Sequence, residues 1–135
     1  MGYDRAVTFA KDDLEALAAE EEVRIETRAP DGTAHRTIIW VVVEDGVPYI
    51  RSVNGAGARW YREALADPSV TLHIGMRRAS AKPAKSIGAH AVPASDEAAI
   101  EACSAGLRNK YRTDPALGSM LREHTLPTTL RLEAV

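Results

Sequence analysis

The residues best suited to chemistry cluster around one loop, the stretch N-G-A-G-A-R-W-Y at residues 54–61. Two glycines beside an asparagine indicate a loop that either turns tightly or lets another group approach its backbone closely. Arginines, a serine and a tryptophan lie on this loop or on the strands before it. The set comprises Arg36, Arg51, Ser52, Asn54, Gly55, Gly57, Arg59 and Trp60.

This set has the composition of an anion site. If a hairpin pairs the strand of Arg36 with the strand of Arg51, the guanidinium groups of Arg36, Arg51 and Arg59 come together. The loop amides then precede a helix that begins at Arg59, where backbone N–H groups and the helix dipole favour an anion. Glycine in the loop would let a phosphate reach the main chain without meeting a Cβ.

Aromatic side chains flank the same loop. Trp60 and Tyr61, with Trp40 on the neighbouring strand, offer flat apolar surface for a ring system. The alternative interpretation is purely structural: the glycines form a turn, the arginines are solvated and both tryptophans belong to the core. The spacing alone leaves both interpretations open.

The sequence lacks the motifs of several common enzyme classes. It contains no G-x-S-x-G, no H-E-x-x-H, no Walker loop and no dinucleotide-binding fingerprint. Tyr61 and Tyr111, with Trp40, are candidate substrate-binding residues, and either tyrosine hydroxyl could donate a proton to the substrate. Cys103 is expected to be a small buried thiol within a helix. The four histidines lack the spacing of metal ligands and are expected to be satisfied or exposed singly. They are His35, His73, His90 and His124.

Composition narrows the function classes. The 135 residues carry a net charge of −2, which gives no electrostatic case for nucleic acid or an anionic membrane. A single cysteine excludes an internal disulfide and a cysteine-based zinc site. No apolar leader and no membrane-spanning run is evident. We therefore expect a cytoplasmic protein with one domain over residues 1–135.

Periodicity predicts an α+β fold, a small and partly open antiparallel barrel of five or six strands. Asp45-Gly46 is a strong hairpin signal, and Pro68 ends the short helix that follows the third strand. Thr8 and Ser95 are the expected caps of the first and third helices. Arg77, Arg78, Lys82 and Lys85 are expected to form a solvated turn. The predicted helices are 8–22, 59–67, 96–111 and 116–122, and the predicted strands are 23–28, 34–44, 47–53, 70–78, 86–93 and 128–135.

The segment from I-I-W-V-V-V-E-D-G-V-P-Y-I-R-S-V-N-G-A-G through R-W-Y-R-E-A-L-A-D-P-S-V resembles the flavin- and deazaflavin-binding split β-barrel superfamily. That superfamily includes pyridoxamine phosphate oxidase-like proteins and deazaflavin-dependent nitroreductases. More closely, this pattern and the ending K-Y-R…T-L-P-T-T-L-R-L resemble a bacterial family of unknown function within it.

The resemblance implies a homodimer with a flavin or deazaflavin cleft at the subunit interface. It implies phosphate contacts at Arg36, Thr37, Ser52, Asn54 and Arg59, with two aromatic residues at the cleft wall. Those aromatic residues are Trp60 and Tyr61.

Glu63 stands where the nitroreductase pattern has asparagine. A carboxylate repels a phosphate unless an arginine neutralises it, so the predicted arginine set would have to compensate. The leading hypothesis is a flavin- or deazaflavin-dependent oxidoreductase acting on a small organic molecule. The alternatives are a cofactor-free enzyme of the isomerase or cyclase type and a non-catalytic small-molecule binder.

Overall fold

Seven strands form one antiparallel sheet in the computed structural model, which describes residues 8–76, 78 and 81–135. The strands are β1 (Val23–Arg28), β2 (Ala34–Ile39), β3 (Val41–Glu44), β4 (Val47–Ile50), β5 (Ser69–Ile74), β6 (Lys85–Pro93) and β7 (Leu130–Ala134). The helices are α1 (Lys11–Ala19), α2 (Arg59–Ala66), α3 (Glu97–Lys110) and α4 (Leu117–Met120). Two 3-10 segments cover Gly55–Gly57 and Glu123–Thr128.

The sheet curls because its two edge strands are consecutive in the chain. The strand order is β2-β1-β5-β6-β7-β4-β3, so β2 and β3 lie at opposite edges. Only Trp40 separates Ile39 of β2 from Val41 of β3, and two residues of extended chain span at most about 7 Å. The two edges must therefore approach each other at this bend, which gives a half-barrel.

The strand count differs from the predicted five or six because one expected strand is two. Residues 34–44 were expected to form a single strand, but the chain bends at Trp40. The half before the bend pairs with β1, and the half after it pairs with β4. A run of β-branched residues predicts extended backbone, but it contains no signal for a change of pairing partner.

Several predicted strands and helices are shorter in the structure than the sequence analysis expected. Strand 70–78 ends at Ile74, because Gly75 has a positive φ of 78° and the Ala84 N–H bonds back to the Ile74 carbonyl. The first helix begins after Ala10, so Thr8 is not its cap. For α3 the cap is Asp96 rather than Ser95, since the Asp96 carboxylate accepts the Ala99 N–H at 3.2 Å.

The core lies inside the curled sheet and beneath α3. Alternation along β1 turns Val23, Ile25 and Thr27 inward, each 1% exposed or less. A second apolar cluster joins β3 to α3 around Val42, and it includes the buried Cys103. At Gly106 a Cβ would lie 2.9 Å from Val42 Cγ2, so glycine permits the close packing of α3 on β3.

The structure describes three of the four residues that were expected to form a solvated basic turn, namely Arg78, Lys82 and Lys85. Lys85 pairs with Asp13 at 2.6 Å, while Arg78 and Lys82 are exposed. The predicted contribution of Arg77 to this group lies outside the described residues. Across residues 8–76, 78 and 81–135, no helix is long and apolar enough to cross a bilayer.

Arg51 joins the end of β4 to the helical layer. Its side chain is 1% exposed, and burial lowers its pKa. Nε donates to Thr129 Oγ1 at 3.0 Å, and Nη1 donates to Ser104 Oγ at 3.0 Å. Nη1 and Nη2 also donate to two backbone carbonyls, those of Met120 at 3.2 Å and Ile100 at 3.1 Å. One side chain therefore connects four separate segments.

We expect Arg51→Met to lower the free energy of unfolding by about 2–5 kcal/mol, because it leaves buried acceptors without donors. Urea denaturation of the variant beside wild type measures the difference. The exposed Arg62→Ala is the control and should change stability by less than about 0.5 kcal/mol. An Arg51→Met variant as stable as the control would show that this network contributes little.

Candidate functional site

A cleft of about 460 Å³ opens where the β2–β3 bend faces the loop after β4 and the start of α4. Its apolar lining residues are Ile38, Ile39, Trp40, Val53, Trp60, Ala116 and Met120. Polar groups are contributed by Thr37 and Asn54, and charged groups by Arg51, Glu22 and Asp114. We call this the Trp40 cleft. It brings together Thr37, Trp40, Arg51, Asn54 and Trp60 from the predicted set.

Trp40 lies on a second aromatic ring. Its indole stacks on Tyr111 with ring centroids 3.9 Å apart and planes 5° from parallel. Tyr111 is 4% exposed, its hydroxyl donates to the Glu21 carbonyl, and burial raises its pKa. Tyr111 therefore holds the Trp40 ring in place, and its proton is committed to the backbone.

Tyr61 lies in the barrel core. It is 8% exposed and packs edge-on against Trp60, with centroids 6.1 Å apart. Burial raises the pKa of the Tyr61 hydroxyl. Trp60 therefore reaches the Trp40 cleft, while Tyr61 supports it from inside.

The three predicted arginines are not brought together. Arg36 lies on β2 opposite Glu26 and donates to it from Nε at 3.1 Å. Arg51 follows β4, which pairs with β3 rather than β2. Arg59 lines a second groove of about 470 Å³ with Arg28 and other side chains. The expected clustering fails because the bend at Trp40 sends the two halves of the strand to opposite edges.

The glycine loop is a turn closed by the chain itself. Gly55 has a φ of 74°, and a Cβ there would lie 3.0 Å from His124 Cδ2. The His124 ring also lies 3.1 Å, Nε2 to oxygen, from the Val53 carbonyl. Ser52 donates from Oγ to the Gly55 carbonyl at 2.8 Å and is fully buried. Ser52 and Gly55 thus face the second 3-10 segment, whereas Asn54 lines the Trp40 cleft.

The Glu63 carboxylate has its own hydrogen-bond partners, and Glu63 does not line the Trp40 cleft. The Thr27 hydroxyl donates to Oε1 at 2.8 Å, and His35 Nδ1 lies 3.0 Å from Oε2. Burial alone would raise the pKa of Glu63. The hydrogen bonds from Thr27 and His35, with the nearby charges of His35 and Arg59, outweigh it and hold the pKa below its usual value.

Sequence reasoning missed two kinds of residue. It treated the histidines singly, whereas His35 pairs with Glu63 and His73 with Glu26. It also missed the apolar rim of the Trp40 cleft, where Ile38 is 48% exposed. The signal for Ile38 was available, because strand alternation places it on the same outward face as Arg36.

Gly55→Ala should destabilise the fold by about 1–2 kcal/mol, because a side chain is strained at a positive φ and His124 must move. Thermal and urea unfolding measure the effect. Gly57→Ala is the matched control two residues away, with nothing within 4 Å of its added Cβ, and should be neutral or slightly stabilising. Equal effects of both variants would contradict this account of the loop.

Glu63→Gln should cost about 1.5–3 kcal/mol at neutral pH, the typical contribution of hydrogen bonds to a charged group. Because the folded-state pKa of Glu63 is lowered from 4.5, the stabilisation is complete above that value and is lost as pH falls through the folded pKa. Urea denaturation across this acid range should show the wild-type advantage shrinking below pH 4.5. The exposed Glu21→Gln is the control and should change stability at neutral pH by less than about 0.5 kcal/mol.

Solved structures share this fold at low sequence identity. The conserved hypothetical protein Rv2991 from Mycobacterium tuberculosis aligns with a TM-score of 0.67 at 15% identity, over 100% of this chain and 84% of its own. The heme storage protein HutZ from Vibrio cholerae aligns at 0.64 and 12% identity, over 96% and 92% of the two chains. An F420 reductase aligns at 0.56 and 16% identity, over 90% and 91%.

No curated protein matches the chain significantly. The structural likenesses support the expected split-barrel architecture at the level of the fold. Sequence comparison is more specific, because one family covers residues 13–132. On that match, the chain belongs to the bacterial family DUF2255, described as an uncharacterized protein conserved in bacteria.

Proposed function

We propose that the Trp40 cleft binds the ring system of a flavin or deazaflavin cofactor, and that the protein is an oxidoreductase acting on a small organic molecule. The stacked Trp40–Tyr111 pair is the main support, because it presents a preorganised aromatic face in a cleft of about 460 Å³. When bound, such a cofactor supplies the hydride chemistry, while the protein supplies position and electrostatics.

Polar groups at the cleft can orient a ring that carries amide-like edges. Thr37 brings a hydroxyl and Asn54 an amide, and both line the same space as Trp40. A hydroxyl both donates and accepts, and an amide side chain does the same. These two residues are the proposed hydrogen-bond partners of the ligand, with Trp60 as an apolar wall.

Arg51 contributes a positive charge to the described lining of the cleft, which also contains the carboxylates of Glu22 and Asp114. Its four hydrogen bonds all go to neutral groups, and no ion pair of Arg51 occurs among the described residues. A buried cation without a counter-ion acts strongly because the interior has a low effective dielectric. It would stabilise the negative charge that builds up on a reduced flavin-type ring.

The side chains that line the cleft suit a flavin-type ring better than heme, because they offer few groups that could coordinate iron. Heme iron is held in proteins by histidine, cysteine, methionine or tyrosine. Among the described lining residues the cleft has no histidine, cysteine or tyrosine, and its one methionine, Met120, is 6% exposed. Heme therefore lacks a ready axial ligand here, although HutZ shares the fold.

The cleft rim supports a homodimer. Ile38 and Val53 are exposed by 48% and 43%, and both line the opening. Apolar side chains grouped at a cleft mouth are typical of surfaces that become covered. A second copy packed on this rim would enclose the ligand between subunits.

Titration with FMN and with F420, followed by ligand absorbance and fluorescence, tests the proposal. We expect one of the two to bind and Val53→Glu to raise its Kd at least tenfold, about 1.4 kcal/mol, because a carboxylate at the rim repels an anionic ligand. Trp40→Ala should weaken binding as well, through loss of the aromatic face. Leu65→Glu, on a residue of α2 that is 46% exposed and does not line the cleft, is the matched control.

Binding of neither cofactor would overturn the proposal, as would binding that Val53→Glu leaves unchanged. A shift in melting temperature with other small molecules would then favour a cofactor-free enzyme or a binding protein. Tight binding of heme alone would move the assignment toward the heme proteins that share the fold.

A further inference from the structure

A serine, a histidine and a glutamate form a hydrogen-bonded chain on the outer face of the sheet. Ser86 Oγ lies 2.8 Å from His73 Nδ1, and His73 Nε2 lies 3.0 Å from Glu26 Oε1. The three residues belong to the neighbouring strands β6, β5 and β1. Ser86 is exposed, whereas His73 is only 7% exposed.

The partners of His73 determine its tautomer. An ionised carboxylate only accepts hydrogen bonds, so Nε2 carries the proton shared with Glu26. In the neutral ring Nδ1 then has a free lone pair, and Ser86 Oγ–H must be the donor to it. His73 is therefore arranged to take the proton from Ser86.

Glu26 is held in its ionised form. Arg36 Nε donates to Oε1 at 3.1 Å, and Arg28 Nη2 lies 3.5 Å from Oε2. Burial alone would raise the pKa of Glu26, but the hydrogen bonds from His73 and Arg36, with the charges of both, lower it overall. The carboxylate is thus positioned to orient His73 and to stabilise its protonated ring.

A small cavity of about 150 Å³ adjoins His73. Ser86 is not among its lining residues and is exposed, so a substrate would reach the serine hydroxyl from solvent. Arg24, the cross-strand partner of His73 on β1, lines this cavity, whereas Ser86 faces His73 from β6 on the other side. The other lining residues are Glu22, Val23, Ile38 and Met76.

We propose that Ser86 is a nucleophile, activated by His73 and Glu26, for acyl transfer from esters or thioesters. Ser86 Oγ attacks the acyl carbon as its proton moves to His73 Nδ1, and His73 then gives this proton to the alcohol or thiol as it leaves. Water then attacks the acyl-serine while His73 takes its proton, and His73 returns that proton to Ser86 Oγ as the carboxylic acid leaves. This activity lies on the outer face of the sheet and does not depend on the proposed cofactor.

Reaction of the full chain with p-nitrophenyl acetate tests the proposal. We expect a burst of p-nitrophenolate and an acetyl group on the peptide that contains Ser86, located by mass spectrometry. Ser86→Ala should lose both signals. Ser69→Ala is the matched control, because Ser69 is also exposed and faces His90 across the strands, but no hydrogen bond joins their side chains in the described chain.

His73→Gln should slow acylation about 100-fold or more, the usual scale for loss of a general base. Glu26→Gln tests a positioning role: it should move the midpoint of the acylation pH profile to lower pH, because a neutral partner stabilises protonated His73 less. Circular dichroism of each variant establishes that it is folded. Acetylation at another residue, or a burst that survives Ser86→Ala, would overturn the assignment.

Discussion

Chain continuity at Trp40 is the constraint on which the rest of this structure depends. One residue joins strands that hydrogen-bond at opposite edges of a seven-stranded sheet, so the sheet has to curl. The same bend exposes Trp40 at the mouth of a cleft and lays its ring against Tyr111. Closure of the sheet and formation of the cleft are therefore one geometric event.

Buried polar groups then fix how the helical layer sits on this curled sheet. Arg51 reaches from the end of β4 to Thr129, just after the second 3-10 segment, and to α3 and α4, and each of its bonds goes to a neutral acceptor. Glu63 ties α2 to β1 and β2 through Thr27 and His35. The two differ in charge balance: Glu63 has histidine beside it, whereas the charge of Arg51 is left to act on the cleft. This difference connects the packing of the fold to its proposed chemistry.

The two faces of the sheet offer different chemistry for the same structural reason. Alternation along β1 and β5 places Ile25 and Leu72 inside and Glu26 and His73 outside. Residues at the bend, including the outward-facing Ile38, form the apolar Trp40 cleft, whereas the outer side of β1, β5 and β6 brings titratable groups from three strands into contact.

The sequence by itself determined the α+β class, the antiparallel pairings of neighbouring strands, the helix that begins at Arg59 and the buried state of Cys103. Period, turn residues and helix breakers are local signals, and they operate over a few residues. Only the tertiary structure decided which edge each half of residues 34–44 joined, and so it separated Arg36 from Arg51. The sequence also could not show that His124 fills the space at Gly55, or that His73 meets Glu26 and Ser86. These contacts join residues 13 to 69 positions apart, and long-range pairing depends on how the whole sheet closes rather than on any local pattern.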